Sequence, residues 1–310
     1  MENIDVVVLG SANVDLTLSL PKIPREGETV SDGRIYFSCG GKGLNQSVAS
    51  NLAGSKTLFI GKIGKDDNGQ LIKNAIKKMG LKSLLFQDDK VNTGCAFIFV
   101  DSDGRNAIGV SPGANKCFTE KELRKIKETL LRLKAKYFLS QLEIPVDTVI
   151  FFFKIAKELG GVNILNPAPQ QKIPDILIKL SDFFIPNSKE ASFYSGIKVE
   201  DKDSGFRAAE KLNHAGVKNV IITLGENGSI FSSKYERKYV PAFKVKPVDT
   251  TSAGDVFLGY FTSMLTRKNN VEESMIYASA ASAVCVSKRG ALPSIPKRKE
   301  VDRFLKRARQ

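Results

Sequence analysis

The segment Asp249-Thr250-Thr251-Ser252-Ala253-Gly254-Asp255 runs into Val256, Phe257, Tyr260, Phe261, Met264 and Leu265, which recur at helical spacing. Small residues at a helix start leave backbone N–H groups open to an anion, and the helix dipole favours negative charge there. A phosphoryl group in transfer fits such a place. Asp255, in the first turn, is positioned to accept a proton from an attacking hydroxyl. A first-turn aspartate that only complements the helix dipole has the same pattern.

A second glycine cluster, Gly40-Gly41-Lys42-Gly43, precedes a helical pattern carrying Leu44, Val48 and Leu52. It lacks the spacing of a nucleotide-binding P-loop, as does Gly54-Ser55-Lys56-Thr57. With Lys42 and Asn45 it suits a polyhydroxylated ligand approached closely by backbone; it also suits a plain strand-to-helix turn. Asn13 and Asp15 share the polar side of an alternating segment, and a carboxylate there can accept from two neighbouring hydroxyls. Glu143 follows a strand, where open α/β sheets place ligands. Either carboxylate also reads as a solvated strand-end charge. Asn187-Ser188-Lys189-Glu190 has capping-box spacing, and equally fits two residues that organise Mg²⁺ and phosphate through water. Thr223-Leu224-Gly225 with Gly228 ends a strand in a glycine turn.

The elements that must hold these groups are short β-branched or aromatic runs at 4–9, 57–60, 137–142, 162–165, 182–185 and 220–224, alternating with helical patterns. This alternation predicts an α/β fold with a mostly parallel sheet covered by helices. Two segments break the rhythm. Residues 13–20 alternate strictly between polar and apolar, and the apolar runs 95–100 and 106–110 flank the turn pair Asp103-Gly104. Together they predict a small β-sheet lid, formed by inserted segments about 12–39 and 93–112. With no repeat or linker, one domain over residues 1–310 is expected.

The 310 residues are 42% hydrophobic and 26% charged, ordinary for a globular chain with a sizeable core. The start, from Glu2 and Asp5 into Val6-Val7-Val8-Leu9, has no basic leader, and no apolar run reaches membrane-spanning length; 275–286 is mostly Ala and Ser and predicts a closely packed helix. A cytosolic location without membrane contact is therefore expected. Cys39, Cys95, Cys117 and Cys285 are scattered and expected to be reduced, and a single histidine, His214, leaves acid–base work to carboxylates or lysines. The net charge of +14 is spread over amphipathic segments such as 120–136 and the tail 297–309, so a solvated basic surface is expected, not a nucleic-acid site.

In this order the motifs resemble the ribokinase family of sugar kinases, the PfkB carbohydrate kinases, over essentially the whole chain. The resemblance is carried by Gly10-Ser11-Ala12-Asn13-Val14-Asp15, Gly27-Glu28-Thr29, Gly40-Gly41-Lys42-Gly43-Leu44-Asn45-Gln46, Pro112-Gly113-Ala114-Asn115, Leu165-Asn166-Pro167-Ala168-Pro169, Pro186-Asn187-Ser188-Lys189-Glu190, Ile222-Thr223-Leu224-Gly225 and residues 249–255. It implies a three-layer α/β/α domain with a sheet of about nine strands, a β lid that serves as a homodimer clasp, and ATP with Mg²⁺. It implies further that Asn13, Asp15, Gly41, Lys42, Asn45 and Glu143 hold the sugar while Asp255 deprotonates its terminal hydroxyl. Asn187, Thr223, Gly225, Gly228, Ser252, Ala253, Gly254 and Ser279 would face the nucleotide, with Glu190 on Mg²⁺ through water. A potassium ion would sit at Asp249, Thr251, Cys285, Lys288, Gly290 and Ser294.

The glycine cluster, 165–169 and 288–294 are most similar to the members that phosphorylate D-ribose at its 5-hydroxyl. Three positions depart from those members: Leu44 for alanine, Ser252 for Gly or Ala, and Ser279 for a histidine beside adenine. The alternatives are a kinase for 2-deoxyribose, another small sugar or a nucleoside, and a non-catalytic sugar-binding protein.

Overall fold

In the computed structural model, which describes residues 3–308, thirteen strands form two sheets. In chain order they are β1 (Val6–Leu9), β2 (Asn13–Ser19), β3 (Arg34–Gly40), β4 (Thr57–Gly64), β5 (Lys82–Asp88), β6 (Gly94–Val100), β7 (Asn106–Ser111), β8 (Tyr137–Ser140), β9 (Val162–Leu165), β10 (Phe183–Phe184), β11 (Asn219–Thr223), β12 (Ser229–Ser233) and β13 (Arg237–Val240). The nine-stranded sheet has the order β13-β12-β11-β10-β9-β8-β1-β4-β5 and is parallel from β11 to β5, with β12 and β13 added antiparallel at one edge. The four-stranded sheet has the order β3-β2-β6-β7. This is the α/β arrangement expected from the sequence, with the small sheet separate from the main one.

Strand β1 shows why helices must cover both faces. Its four residues are fully buried, but Val6 and Val8 join one core while Val7 and Leu9 join the other. A strand buried on both sides reads as a continuous apolar run, which is what the sequence has there. The first core lies under the helices Lys42–Leu52, Ala253–Thr266 and Val271–Val286, and the second under Val146–Glu158 and Lys202–His214.

Helix Ala253–Thr266 is buried from Asp255 to Leu265. It meets helix Lys42–Leu52 closely because of Gly259: a Cβ there would lie 2.5 Å from the Ala49 Cβ and 2.6 Å from the Gln46 carbonyl oxygen. The absence of that side chain lets the two helices approach closely enough for Asn45 and Gln46, in the first turns of one, to reach Asp255, in the first turn of the other.

Several boundaries differ from the sequence expectation. The strand expected over 137–142 ends at Ser140, and 182–185 shortens to the two residues of β10. The run at 57–60 lengthens to Gly64, and the helix expected over 120–136 stops at Leu131. Strands β3, β5, β12 and β13 were not singled out from the sequence; β12 (SIFSS) and β13 (RKYV) are short and rich in polar residues, so period-2 patterning has little to act on. The basic tail forms the helix Arg298–Ala308, and Arg309, like Glu2 at the other end, lies outside the described residues. No helix among the described residues is long and apolar enough to cross a membrane.

Candidate active site

The chain continues from the neighbouring parallel strands β1 and β8 to helices on opposite faces of the sheet, Lys42–Leu52 and Val146–Glu158, and open α/β sheets have their ligand crevice at the carboxyl ends of such a pair. After β1, Gly10-Ser11-Ala12 leads into β2; after β8 comes Gln141-Leu142-Glu143. The two exits are tied together: Ser11 Oγ donates to Glu143 Oε2, and the Lys42 backbone N–H donates to the same oxygen at 3.1 Å. The glycine cluster packs on this junction. A Cβ on Gly43 would reach 2.5 Å from the Gly10 carbonyl carbon, and Gly41 (φ 91°) abuts Ala12 and Asn13 in a conformation that favours glycine.

Asp15, on β2, hangs over the crevice. A Cβ at Gly40 on the paired strand β3 would lie 2.2 Å from its Oδ2. Burial, then the charges of Glu143 and Asp255, push the Asp15 carboxyl up to about 7. Asn13, two residues earlier, is buried and its Oδ1 accepts from Asn115 Nδ2 at 2.8 Å. Asn115 also holds both backbone groups of Ala12, at 3.0 and 3.1 Å. The amide of Asn13 is thereby turned so that its NH₂ faces away from Asn115, free to donate to a ligand.

Asp255 is 7% exposed in the first turn of its helix. Its Oδ2 accepts from Asn45 Nδ2 and its Oδ1 from Gln46 Nε2, both at 3.0 Å. Asn45 Nδ2 also donates to Ser252 Oγ at 3.0 Å, while Asn45 Oδ1 is buried without a partner among the described residues. Ser252 caps the helix in the left-handed region (φ 62°), a conformation costing a side-chain-bearing residue about 1–2 kcal/mol. Ala253 N–H turns back to Thr250 and Val256 N–H to Ser252, leaving those of Gly254 and Asp255 as open donors at the helix start. Burial lowers the pKa of the half-buried Lys42 ammonium, but the charges of Asp255, Glu143 and Glu190 outweigh it and hold it above the ordinary lysine value.

Asn187 and Glu190 form the capping box that their spacing suggested: Asn187 N–H donates to Glu190 Oε2, and Glu190 N–H to Asn187 Oδ1, both at 2.9 Å. Glu190 is nevertheless part of the same field. Burial raises its pKa; the Asn187 bond and Lys42 oppose this, and Asp255 adds to it. Asn187 pairs with Thr223 in an isolated parallel bridge. Gly225 opens a short 3₁₀ turn, Gly225–Asn227, and Gly228 (φ 89°) closes it against the Val240 carbonyl. Ser279 is half-buried on helix Val271–Val286 and bonds to none of the other site residues; Ser282 on that helix donates to the Ala253 carbonyl at 2.9 Å.

The loop residues also gather. Asp249 Oδ1 accepts from Thr251 N–H and Oδ2 from Gly290 N–H, both at 2.9 Å. Cys285 Sγ lies 3.8 Å from the Thr251 carbonyl and 3.1 Å from Ser294 Oγ. The Lys288 side chain instead pairs with Glu300 at 2.6 Å, and its backbone N–H donates to the Cys285 carbonyl at 3.0 Å.

The matching family model is the pfkB family carbohydrate kinase, over residues 3–298. The chain belongs to that family. It is 38% identical over 301 residues to the ribokinase of Staphylococcus aureus, covering 96% of this chain and 98% of that one. It is 39% identical over 300 residues to a bifunctional ribokinase/ribose-5-phosphate isomerase A of Fructilactobacillus sanfranciscensis, covering 96% of this chain but 55% of that longer protein. The solved Arabidopsis thaliana ribokinase, complexed with ribose and ATP, superimposes with a TM-score of 0.92 at 32% identity, over 98% of this chain and 99% of that one. The family confirms the ribokinase-like reading of the fold.

Ser11, Gln46, Asn115, Gln141 and Asn166 were not assigned site roles from the sequence. Four of them lie inside the quoted motifs, but Gln46 and Asp255 are 209 residues apart and only folding shows their contact. As a whole the crevice can hold a hydroxylated ligand among Asp15, Asn13 and Lys42, place one of its hydroxyls at Asp255, and receive an anion at the open N–H groups beside it.

Proposed function

We propose that this protein is an ATP-dependent ribokinase, transferring the γ-phosphoryl group of ATP to the 5-hydroxyl of D-ribose. The observation that carries this is the juxtaposition of an amide-held carboxylate, Asp255, with the open N–H groups of Gly254 and Asp255 at one helix start. Asn13, Asp15, Gly41, Lys42, Asn45 and Glu143 bind the sugar, in keeping with their gathering around one crevice and with the full-length similarity to ribokinases. Asp255 takes the proton of the 5-hydroxyl as its oxygen bonds to the γ-phosphorus and the bond to the ADP oxygen breaks. The N–H groups and Lys42 offset the negative charge spread over the transferring oxygens, which with positioning is what phosphoryl transfer mainly requires. Asn187, Thr223, Gly225, Gly228, Ser252, Ala253, Gly254 and Ser279 face the nucleotide.

Two ions complete the reading. Glu190 uses only one oxygen in its cap, so the other is available to a Mg²⁺-bound water, and the ion would neutralise phosphate charge. Potassium suits the oxygen-rich loop of Asp249, Thr251, Cys285, Lys288, Gly290 and Ser294, with carbonyls that retain a lone pair; bound there it would hold the loop that carries Ser252. The four-stranded sheet serves as the lid. Its exposed Ile35, Tyr36, Phe37, Phe97, Ile108 and Val110 favour pairing with a second copy, as a homodimer in the cytoplasm.

The test is a coupled ADP-release assay with ATP and Mg²⁺ against D-ribose, 2-deoxyribose, fructose and adenosine, each with and without potassium. Ribose-selective turnover raised by potassium is expected. Faster turnover of adenosine or 2-deoxyribose would reassign the substrate, and thermal shift by ribose without turnover would make this a binding protein.

A further inference from the structure

The Asp255 carboxylate sits at the end of a chain of buried amides. The backbone carbonyl of Ile185 accepts from Asn166 Nδ2 at 3.0 Å, and Asn166 Oδ1 accepts from Gln46 Nε2 at 3.1 Å. The second hydrogen of Gln46 Nε2 goes to Asp255 Oδ1 at 3.0 Å. Gln46 Oε1 accepts from Gln141 Nε2 at 2.7 Å, so every polar atom of the Gln46 side chain is used. Gln46 and Gln141 are fully buried, and Asn166 is 7% exposed.

The chain has a fixed direction. Ile185 offers only an acceptor, so Asn166 must present NH₂ to it and its oxygen to Gln46. Gln46 must then present NH₂ to both Asn166 and Asp255. A flipped Gln46 would set its oxygen against the Asn166 oxygen and the carboxylate, and its NH₂ against that of Gln141. A main-chain carbonyl just beyond strand β10 thus dictates that Asp255 Oδ1 receives a donor.

We infer that Gln46 is a positioning residue for the base, fixing the plane of the Asp255 carboxylate by a hydrogen bond from a neutral donor. This rests on the reading of Asp255 as the general base. Neutrality matters: a cation at the same spot would stabilise the carboxylate so strongly that it would lose basicity, whereas an amide holds it without adding charge. With Oδ1 held by Gln46 and Oδ2 by Asn45, the carboxylate has a set plane, and its remaining lone pairs are available to an incoming hydroxyl. Gly259 admits the close helix contact that makes the bond possible.

The test compares the wild type with Gln46→Glu, which keeps the shape but sets a second carboxyl against Asp255, and with Gln46→Met, which keeps the bulk but removes both donors. Two readouts are taken. The first is the titration of the Asp255 carboxyl in the sugar-free protein, followed by ¹³C NMR and assigned by difference from Asp255→Asn. The second is the pH profile of kcat at saturating ribose, which reports the bound complex and is free of the Asp15 ionisation that accompanies sugar binding. In both variants the Asp255 titration and the acid limb are expected to move to higher pH, by about one unit or more in Gln46→Glu because two carboxyls then share the site. In Gln46→Met, kcat is expected to fall about tenfold to a hundredfold, the loss of a hydrogen bond to a charged group, with KM for ribose within about threefold.

An unmoved Asp255 titration in both variants overturns the inference. So does a kcat loss with an unmoved acid limb, which is what a packing defect alone would give. Should Gln46→Met fail to fold, the isosteric Gln46→Glu decides by the same criteria. The titration uses no substrate, so an inactive wild type would refute the kinase reading and leave the amide chain to be judged by NMR alone.

Discussion

The sugar affinity of this protein should depend on pH through Asp15. Its carboxyl is pushed up to about 7, first by burial and then by the charges of Glu143 and Asp255. A diol donates two hydrogen bonds to an ionised carboxylate, and a protonated carboxyl loses one of those acceptors. With a pKa near 7, Asp15 is about half ionised at pH 7, about a tenth at pH 6 and about nine-tenths at pH 8. If only the ionised form binds, ribose affinity rises roughly tenfold from pH 6 to pH 8, and about half a proton is released per sugar bound at pH 7. Isothermal titration calorimetry with ribose over pH 6 to 8, in buffers of differing ionisation enthalpy, measures both quantities. Asp15→Asn should bind more weakly and lose the slope. A flat wild-type profile with no proton release, or an equal slope in Asp15→Asn, would refute the reasoning. The same shift fixes a sign for stability. The folded state holds this proton more tightly than the unfolded chain, whose carboxyl titrates at 3.8, so the contribution of Asp15 falls as pH rises from about 4 through 7. At about 1.4 kcal/mol per unit the ceiling is roughly 4 kcal/mol, and the sugar-free Asp15→Asn variant should melt higher than wild type at pH 8 but not at pH 4.

Asp255→Asn should lower kcat by about a hundredfold to ten-thousandfold, the usual worth of a general base. Its new NH₂ can be accommodated only toward Asn45, whose unpaired Oδ1 can turn to accept it, so ribose binding followed by calorimetry should survive; unchanged turnover would remove Asp255 from its role. Gly40→Ala drives a methyl into the Asp15 carboxylate and should raise KM for ribose more than tenfold while leaving KM for ATP unchanged, and an equal rise in both would point to general disorder of the site. Asp249→Ala frees the N–H groups of Thr251 and Gly290 and should abolish any rise of kcat with added potassium; a retained response would place the cation elsewhere.

The sequence by itself determined which chemistry the chain carries and in what order its groups occur. Asp255 beside small residues at a helix start, the glycine cluster before Asn45, and the alternation of buried runs with helical patterns are local features, and local features are what residue types and periodicity record. Strand β1 was legible because burial on both faces demands an uninterrupted apolar run. Strands β12 and β13 were not, because both are short and rich in polar residues, which leaves little apolar pattern to read, although β12 is buried between two neighbours and only β13 lies at the edge. Asn187 and Glu190 show the limit of a motif: their spacing fitted both a cap and an ion-organising pair, and the fold makes the cap while keeping Glu190 in the field of Lys42 and Asp255. What only the tertiary structure decided is contact across long separations. The tie between Ser11 and Glu143, the hold of Asn115 on Asn13, and the amide chain from Ile185 through Asn166 and Gln46 to Asp255 each join segments that meet only when the sheet is assembled. A buried amide carries no periodic signature; its role depends on the partner that burial obliges it to find, and that partner is chosen by packing.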